Sequence, residues 1–216
     1  QHIGAEAARI RRRRPTFRLP ARCRRAGEMP DPIGENPMPP IEPIERHTIS
    51  VLVDNEPGVL ARVIGLFSGR GYNIESLTVA EVDTYGRRSR ITIVTSGSRM
   101  IIEQIKAQLD RLVPVHKVLD LTDEGSFVER ELALIKVAAT GDKRIEALRI
   151  ADIFRARAVD STLESFVFEV TGSSEKLNAF IGLMAPLGLV DVSRTGVAAI
   201  ARGKEGFLGE AILAGE

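Results

Sequence analysis

Hydrophobic and polar positions follow two different periods along this chain, and the changes of period mark out strands and helices. Residues 47–53 alternate and are rich in β-branched side chains, which predicts a strand. From Val59 to Phe67 the apolar residues recur at helical spacing, and Gly69 and Gly71 are expected to end that helix. Alternation returns over residues 73–82, with one slip that predicts a kinked second strand.

The next elements complete a familiar order. After a turn-like stretch at residues 83–86, a third strand is predicted over 89–95. Ser98 is a candidate N-cap for a helix that runs to Leu112, and residues 115–121 supply a fourth strand. This β-α-β-β-α-β order predicts a ferredoxin-like split unit, with both helices on one face of a four-stranded antiparallel sheet.

The same order recurs in the second half of the chain. The predicted elements are strands at 132–138, 159–161, 165–170 and 189–200, a helix at 142–158, and a helix that Ser173 or Ser174 caps and Pro186 ends. The expected core residues of the first of these helices are Ile145, Leu148, Ile150, Ile153 and Phe154. We therefore predict an α+β fold of two ferredoxin-like βαββαβ domains, over residues 46–125 and 126–205, with a linker region at 125–131.

Charge and proline content set the first 45 residues apart from this folded part. Residues 1–30 contain nine Arg and two Glu, a net charge of +7, whereas the other 21 basic and 27 acidic residues give −6. Six prolines lie within residues 30–43, and prolines remove backbone donors and interrupt helices. We expect a disordered leader over residues 1–45 and a separate tail over 206–216.

Three interpretations of the Arg-rich leader stay open. It could bind nucleic acid or another anionic surface, or it could be an organelle transit segment. It could also be an extension upstream of a natural start at Met38.

Composition excludes several classes of function. There is no run of 18 apolar residues, so no transmembrane helix is predicted. Cys23 is the only cysteine, which rules out an internal disulfide and suits a reducing cytoplasm, the compartment that we expect. The three histidines are far apart, and neither Asp54 nor Glu56 has a nucleophile or a metal cluster beside it, so we expect no catalysis by this chain. Trp is absent and aromatic residues make up 5%, so the folded part offers few of the stacking platforms that bind single-stranded nucleic acid.

The junction between the first strand and the first helix is the candidate site. A helix N-terminus offers unpaired N–H groups and a partial positive charge, which suit a small carboxylate. Gly58 would let the main chain approach a ligand, and the amides of Asn55 and Asn73 suit both charged groups of an amino acid. The apolar members of the predicted effector-binding set are Val59, Leu60 and Ile74.

Each candidate also has a purely structural interpretation. Asn55 could only cap the helix, Gly58 could only permit a turn, and Asn73 could only begin a strand. The three apolar side chains could belong to the core.

Residues 46–125 resemble an ACT domain, the amino-acid-sensing module of metabolic enzymes. Residues 55–68 read Asn-Glu-Pro-Gly-Val-Leu-Ala-Arg-Val-Ile-Gly-Leu-Phe-Ser, residues 71–77 read Gly-Tyr-Asn-Ile-Glu-Ser-Leu, and residues 128–132 read Val-Glu-Arg-Glu-Leu. These motifs resemble the regulatory (small) subunit family of acetolactate synthase, over about residues 46–205. Residues 1–37 and the segment after Gly206 depart from the family pattern.

The resemblance implies a regulator and not a catalyst. Two ACT domains are expected to pair as a homodimer, and a branched-chain amino acid (valine, leucine or isoleucine) is expected to bind between them. One copy would offer residues 55–60 and the other Asn73 and Ile74. The partner is the catalytic large subunit, which in the family carries thiamine diphosphate and magnesium, with FAD as a further candidate; no cofactor is expected on this chain.

Two alternatives stay open at this point. The chain could be an ACT-type sensor for a different enzyme, or a nucleic-acid-binding regulator that uses the Arg-rich leader.

Overall fold

The computed structural model of the chain describes residues 43–83, 85–204 and 206–207. The predicted leader and tail therefore lie almost wholly outside the described residues. The first βαββαβ unit consists of β1 (Glu45–Asp54), α1 (Val59–Ser68), β2 (Ser76–Asp83), β3 (Arg88–Gly97), α2 (Arg99–Leu109) and β4 (Val115–Asp120). Its strands form an antiparallel sheet in the order β2-β3-β1-β4, so β2 and β4 are the edges.

The central strand β1 is buried on both faces. Ile49 and Val51 pack with Val63 and Phe67 of α1 in a core beneath the two helices. Leu52 points to the opposite face, where it belongs to an apolar cluster that the second half of the chain completes. The alternation of polar and apolar residues in β1 is typical of a strand with one solvent-exposed face. Its polar positions are nevertheless buried, because the second half of the chain covers that face.

The second unit repeats the order. It consists of β5 (Phe127–Ala138), α3 (Gly141–Phe154), β6 (Arg157–Ser161), β7 (Ser165–Gly172), α4 (Ser174–Gly188), β8 (Leu189–Arg194) and β9 (Ala198–Ala201). The sheet order is β6-β7-β5-β8, and its core includes Phe166, Phe168 and Phe180. The predicted α+β fold of two βαββαβ units is confirmed.

The predicted linker at residues 125–131 is wrong over most of its length, because β5 already begins at Phe127. Residues 127–130 pair with β9, whereas the later part of β5 pairs with β7 and β8. The predicted closing strand over residues 189–200 is correspondingly two strands, interrupted at Thr195, Gly196 and Val197. The two parts of β5 therefore pair with different strands, which local sequence does not reveal.

The predicted core face of α3 is wrong in three of five positions. Ile145 and Ile153 are 52% and 76% exposed and Leu148 is also exposed, whereas Ala147 and Ala151 are buried. Apolar residues occur on both sides of this helix, and the alanine side lies on the sheet because small side chains allow close approach. The helix also ends at Phe154 and not at residue 158, since Arg155 is left-handed with φ 55°.

Smaller differences concern element ends. Helix α4 passes Pro186 and continues to Gly188. Proline removes one backbone hydrogen bond, but burial of Phe180 and Met184 in the core outweighs that loss. Helix α2 ends three residues before Leu112, and β2 begins at Ser76 and not at residue 73. Ser173 caps α4 as predicted and accepts a hydrogen bond from the Lys176 amide at 3.3 Å.

Candidate functional site

The loop between β1 and α1 is held in place by its main chain. The Asp54 amide donates to the Pro114 carbonyl at 2.9 Å, and the Asn55 amide donates to the Arg87 carbonyl at 2.7 Å. Gly58 then turns the chain into α1 with φ 89° and ψ −9°, a left-handed conformation that favours glycine. This geometry leaves the N-terminus of α1 facing solvent at the edge of the first unit.

The first amides of α1 are available to a ligand. The amide of Arg62 bonds to the Gly58 carbonyl at 3.1 Å, and that of Val59 reaches the Glu56 carbonyl at only 3.4 Å. Among the described residues, no side chain caps this end, and the amides of Leu60 and Ala61 have no backbone acceptor. Two donors and the positive end of the helix dipole therefore converge where an anion can bind.

The side chains of the predicted loop residues divide between surface and core. Asn55 and Gly58 are exposed, and Leu60 is 38% exposed. Val59 is 4% exposed and packs in the first core, so its side chain has the structural role and only its main chain faces the loop.

The reason for glycine at position 58 is its conformation. A Cβ atom there would meet no described atom within 4 Å of the same chain. Crowding inside one chain is therefore not what excludes a larger residue, and any further exclusion must come from a bound molecule or a second copy.

Asn73 and Ile74 lie beyond the other end of α1. Asn73 is exposed, and its carbonyl accepts a hydrogen bond from Thr95 Oγ1 at 2.7 Å. Ile74 is half-buried against the first core. Helix α1 has ten residues, and at about 1.5 Å per residue it separates the two predicted half-sites by roughly 15 Å. One chain therefore does not bring its own two half-sites together around one amino acid.

A histidine–aspartate contact beside the loop was not predicted as part of the site. His116 Nε2 lies 2.6 Å from Asp54 Oδ1, and both side chains are partly exposed. The pair joins the end of β1 to β4 and fixes the strand that leads into the loop. Nothing in local sequence connects two residues 62 positions apart.

A polar cleft of 620 Å³ lies between the two units, and the sequence did not predict it. Its base is the nearly buried Glu131 carboxylate, which accepts hydrogen bonds from Arg194 at 2.7 and 2.6 Å and from Ser174 at 3.0 Å. Burial alone would raise the pKa of Glu131, but the hydrogen bonds from Arg194 and Ser174 outweigh it and lower that pKa. The same hydrogen bond from Arg194 raises the pKa of the guanidinium.

A histidine–aspartate cluster lies at the start of β1. Buried His47 Nδ1 is 2.8 Å from buried Asp120 Oδ2, and Asp123 Oδ1 is 3.9 Å away. Lys106 Nζ lies 3.4 Å from Asp123 Oδ2 and supplies a positive charge beside these carboxylates. These contacts describe a structural hydrogen-bonded pair that ties β1 to β4.

No described helix is both long and apolar enough to span a membrane.

Comparison with known proteins finds similarity over both units. Residues 130–203 match the family described as the small subunit of acetolactate synthase, and residues 49–117 match the AHAS small subunit-like ACT domain. The chain is 49% identical over 160 residues to a probable acetolactate synthase small subunit from Archaeoglobus fulgidus, covering 74% of this chain and 99% of the relative. It is 46% identical over 159 residues to the acetolactate synthase isozyme 3 small subunit from Salmonella typhimurium, covering 73% and 96%.

A solved structure agrees with these sequence matches. The crystal structure of the acetolactate synthase small subunit from Thermotoga maritima aligns with a TM-score of 0.67 and 40% identity, over 74% of this chain and 99% of that one. The chain therefore belongs to the small-subunit family of acetolactate synthase, an enzyme of branched-chain amino-acid biosynthesis, and its first βαββαβ unit is the ACT domain of that family.

Proposed function

We propose that this chain is a non-catalytic regulatory subunit that activates the large subunit of acetolactate synthase and makes it sensitive to valine or another branched-chain amino acid. The separation of the two half-sites by the length of α1 carries the proposal. A homodimer brings two half-sites together despite that separation, because the loop of one copy can lie beside residues 73–74 of the other. Thiamine diphosphate, magnesium and, as a further candidate, FAD belong to the large subunit in this proposal.

The edge strand β2 is the proposed seam of the homodimer. It begins two residues after Ile74 and presents Val79, which is 44% exposed. An exposed edge strand carries unpaired main-chain groups, and pairing it with a second copy extends the sheet and covers those groups. The same pairing brings the second half-site of each copy to the seam.

The available groups match a small aliphatic amino acid. The Leu60 and Ala61 amides suit its carboxylate, and the side-chain carbonyls of Asn55 and Asn73 suit its ammonium group. Leu60 and Ile74 offer apolar surface for a branched aliphatic side chain, whose three to four carbons contribute about 2–3 kcal/mol on burial.

Mixed dimers test whether the site lies between copies. The variants Gly58→Asp and Asn73→Ala should each bind effector much more weakly than wild type as homodimers. A heterodimer of the two contains one intact site, formed by the wild-type loop of one copy and the wild-type Asn73 of the other. Calorimetry on an equilibrated mixture should therefore recover about a quarter of the wild-type binding sites. A mixture that recovers no binding would contradict a shared site.

Reconstitution tests the regulatory role itself. Adding this chain to its large subunit should increase acetolactate formation, and valine, leucine or isoleucine should then reduce it. Activation without sensitivity to any of the three amino acids would limit the chain to an activator.

The proposal also places the protein in the cytoplasm and sets its domain bounds at 46–125 and 126–205.

A further inference from the structure

Two side chains of the ACT domain hold one residue of the second unit by both of its main-chain groups. The Val197 amide donates to Ser76 Oγ at 2.8 Å, and Thr78 Oγ1 donates to the Val197 carbonyl at 2.8 Å. Val197 is 2% exposed and lies in the interruption between β8 and β9, where neither strand ladder can satisfy it. We call these two hydrogen bonds the Ser76–Thr78 clamp.

The clamp requires close approach of the two units. Gly196 has φ 82°, and a Cβ atom there would lie 2.8 Å from Ser76 Oγ and 2.9 Å from Thr78 Cγ2. Both distances are shorter than side chains tolerate, so the residue before Val197 must be glycine for the clamp to close. The contact is therefore specific in geometry and is more than incidental proximity of two surfaces.

The clamp is continuous with the second half-site. Ser76 comes two residues after Ile74, and the backbone bends at Glu75 between them. That segment is fixed to β3 at both ends, since Thr95 Oγ1 binds the Asn73 carbonyl at 2.7 Å and the Glu75 amide binds the Val94 carbonyl at 2.8 Å. Only Glu75 lies between Ile74 and Ser76, and consecutive Cα atoms stay about 3.8 Å apart, so a shift of residues 73–74 that exceeds what rotation at Glu75 absorbs displaces Ser76 as well.

A second contact runs from the same segment to the second unit. Arg46 Nε lies 3.8 Å from the Glu75 carboxylate, and its Nη atoms donate to Glu129 of β5 at 3.3–3.4 Å. These groups are more exposed than the clamp, and ion pairs at such positions contribute little to stability. The clamp, which holds the buried residue Val197, is thus the less exposed of the two connections.

We propose that the Ser76–Thr78 clamp couples effector binding at the ACT seam to the second unit and so transmits inhibition. This inference rests on the proposed function and names the regulation of that same site. An effector changes a second site only where its binding energy differs between two states of the molecule. The clamp supplies such a difference, because an effector that repositions residues 73–74 tightens two partly buried hydrogen bonds to the second unit.

The test separates binding from inhibition in the complex with the large subunit. Thr78→Val keeps the shape of the side chain and removes the donor to the Val197 carbonyl. Thr48→Val is the matched control, because Thr48 lies in the same sheet and its buried hydroxyl has no described hydrogen-bond partner. Calorimetry measures the affinity of each variant for valine, leucine and isoleucine, and acetolactate formation measures inhibition.

The expected result is a split between the two measurements. Thr78→Val should bind the effector within twofold of wild type, yet its residual activity at saturating effector should be roughly fivefold or more above that of Thr48→Val, the lower end of typical allosteric coupling. Equal residual activities in the two variants would overturn the coupling. A large loss of affinity in Thr78→Val would also overturn it, since the clamp would then only shape the binding site.

A measurement on the wild type keeps the proposal falsifiable if Thr78→Val does not fold. Effector should slow hydrogen exchange of the Val197 amide about threefold or more, because ordering of residues 73–74 tightens its bond to Ser76. Unchanged exchange in a protein that binds effector would overturn the coupling alone. A wild type that binds none of the three amino acids would instead refute the effector site, and the coupling with it.

Discussion

Replacing Gly58 by aspartate or by asparagine isolates the role of charge at the N-terminus of α1. Gly58 has φ 89°, a conformation that costs most L-residues about 1–2 kcal/mol and costs Asn and Asp less. A new side chain meets no described atom within 4 Å of the same chain, so aspartate and asparagine face the same backbone cost. The two variants should therefore fold equally well and differ by one negative charge.

The magnitude follows from the position of the free amides. An effector carboxylate at the Leu60 and Ala61 amides would lie about 4 Å from the carboxylate of the Gly58→Asp variant, and two like charges at that distance repel by about 4 kcal/mol at an effective dielectric constant of 20. This corresponds to a roughly thousandfold loss of affinity for Gly58→Asp. Gly58→Asn only competes for one hydrogen bond, worth about 0.5–1.5 kcal/mol, and should lose about tenfold.

Calorimetry with valine, leucine and isoleucine measures the two affinities, after circular dichroism has shown equal helix content. Activation of the large subunit should persist in part in both variants, because α1 stays formed. If Gly58→Asp binds effector within about threefold of Gly58→Asn, charge repulsion at this helix end is absent, and the docking of a carboxylate on these amides is refuted.

Three further predictions concern stability and pH. Arg194→Met should lower the free energy of unfolding by about 1.5–3 kcal/mol in urea titration, because it removes the charged hydrogen bonds to nearly buried Glu131; an unchanged midpoint would contradict their importance. Folding lowers the pKa of Glu131, so its stabilising effect is present above the unfolded pKa of about 4.3 and lost as pH falls through the lower folded value. Wild type should therefore lose more stability than Glu131→Gln between neutral pH and acid below pH 4, and parallel curves would refute this. Gly188→Ala should lower the free energy of unfolding by at least about 2 kcal/mol, since φ is 114° and the added Cβ would overlap the Ala138 carbonyl. Gly182→Ala in the same helix is the control: its Cβ meets no described atom, and it should raise the free energy of unfolding by about 0.5–1 kcal/mol in thermal unfolding.

The sequence was sufficient where the signal is local. The spacing of Val59, Val63 and Phe67 places one face of α1 on a core, and the structure buries all three. A glycine directly before that run predicts the left-handed turn that Gly58 adopts, because its missing Cβ removes the steric penalty. The motif at residues 71–77 was specific enough to indicate the family, which the comparisons confirm.

Tertiary structure decided everything that depends on a distant partner. Periodicity offers two apolar faces on α3, and only packing against the sheet selects Ala147 and Ala151 over Ile145. The continuation of β5 through residues 127–130 exists because β9 returns to pair with it, some 70 residues later. The Thr78–Val197 contact joins residues 119 positions apart. Periods and caps are properties of neighbouring residues, whereas burial and pairing are properties of surfaces that meet only after the chain has folded.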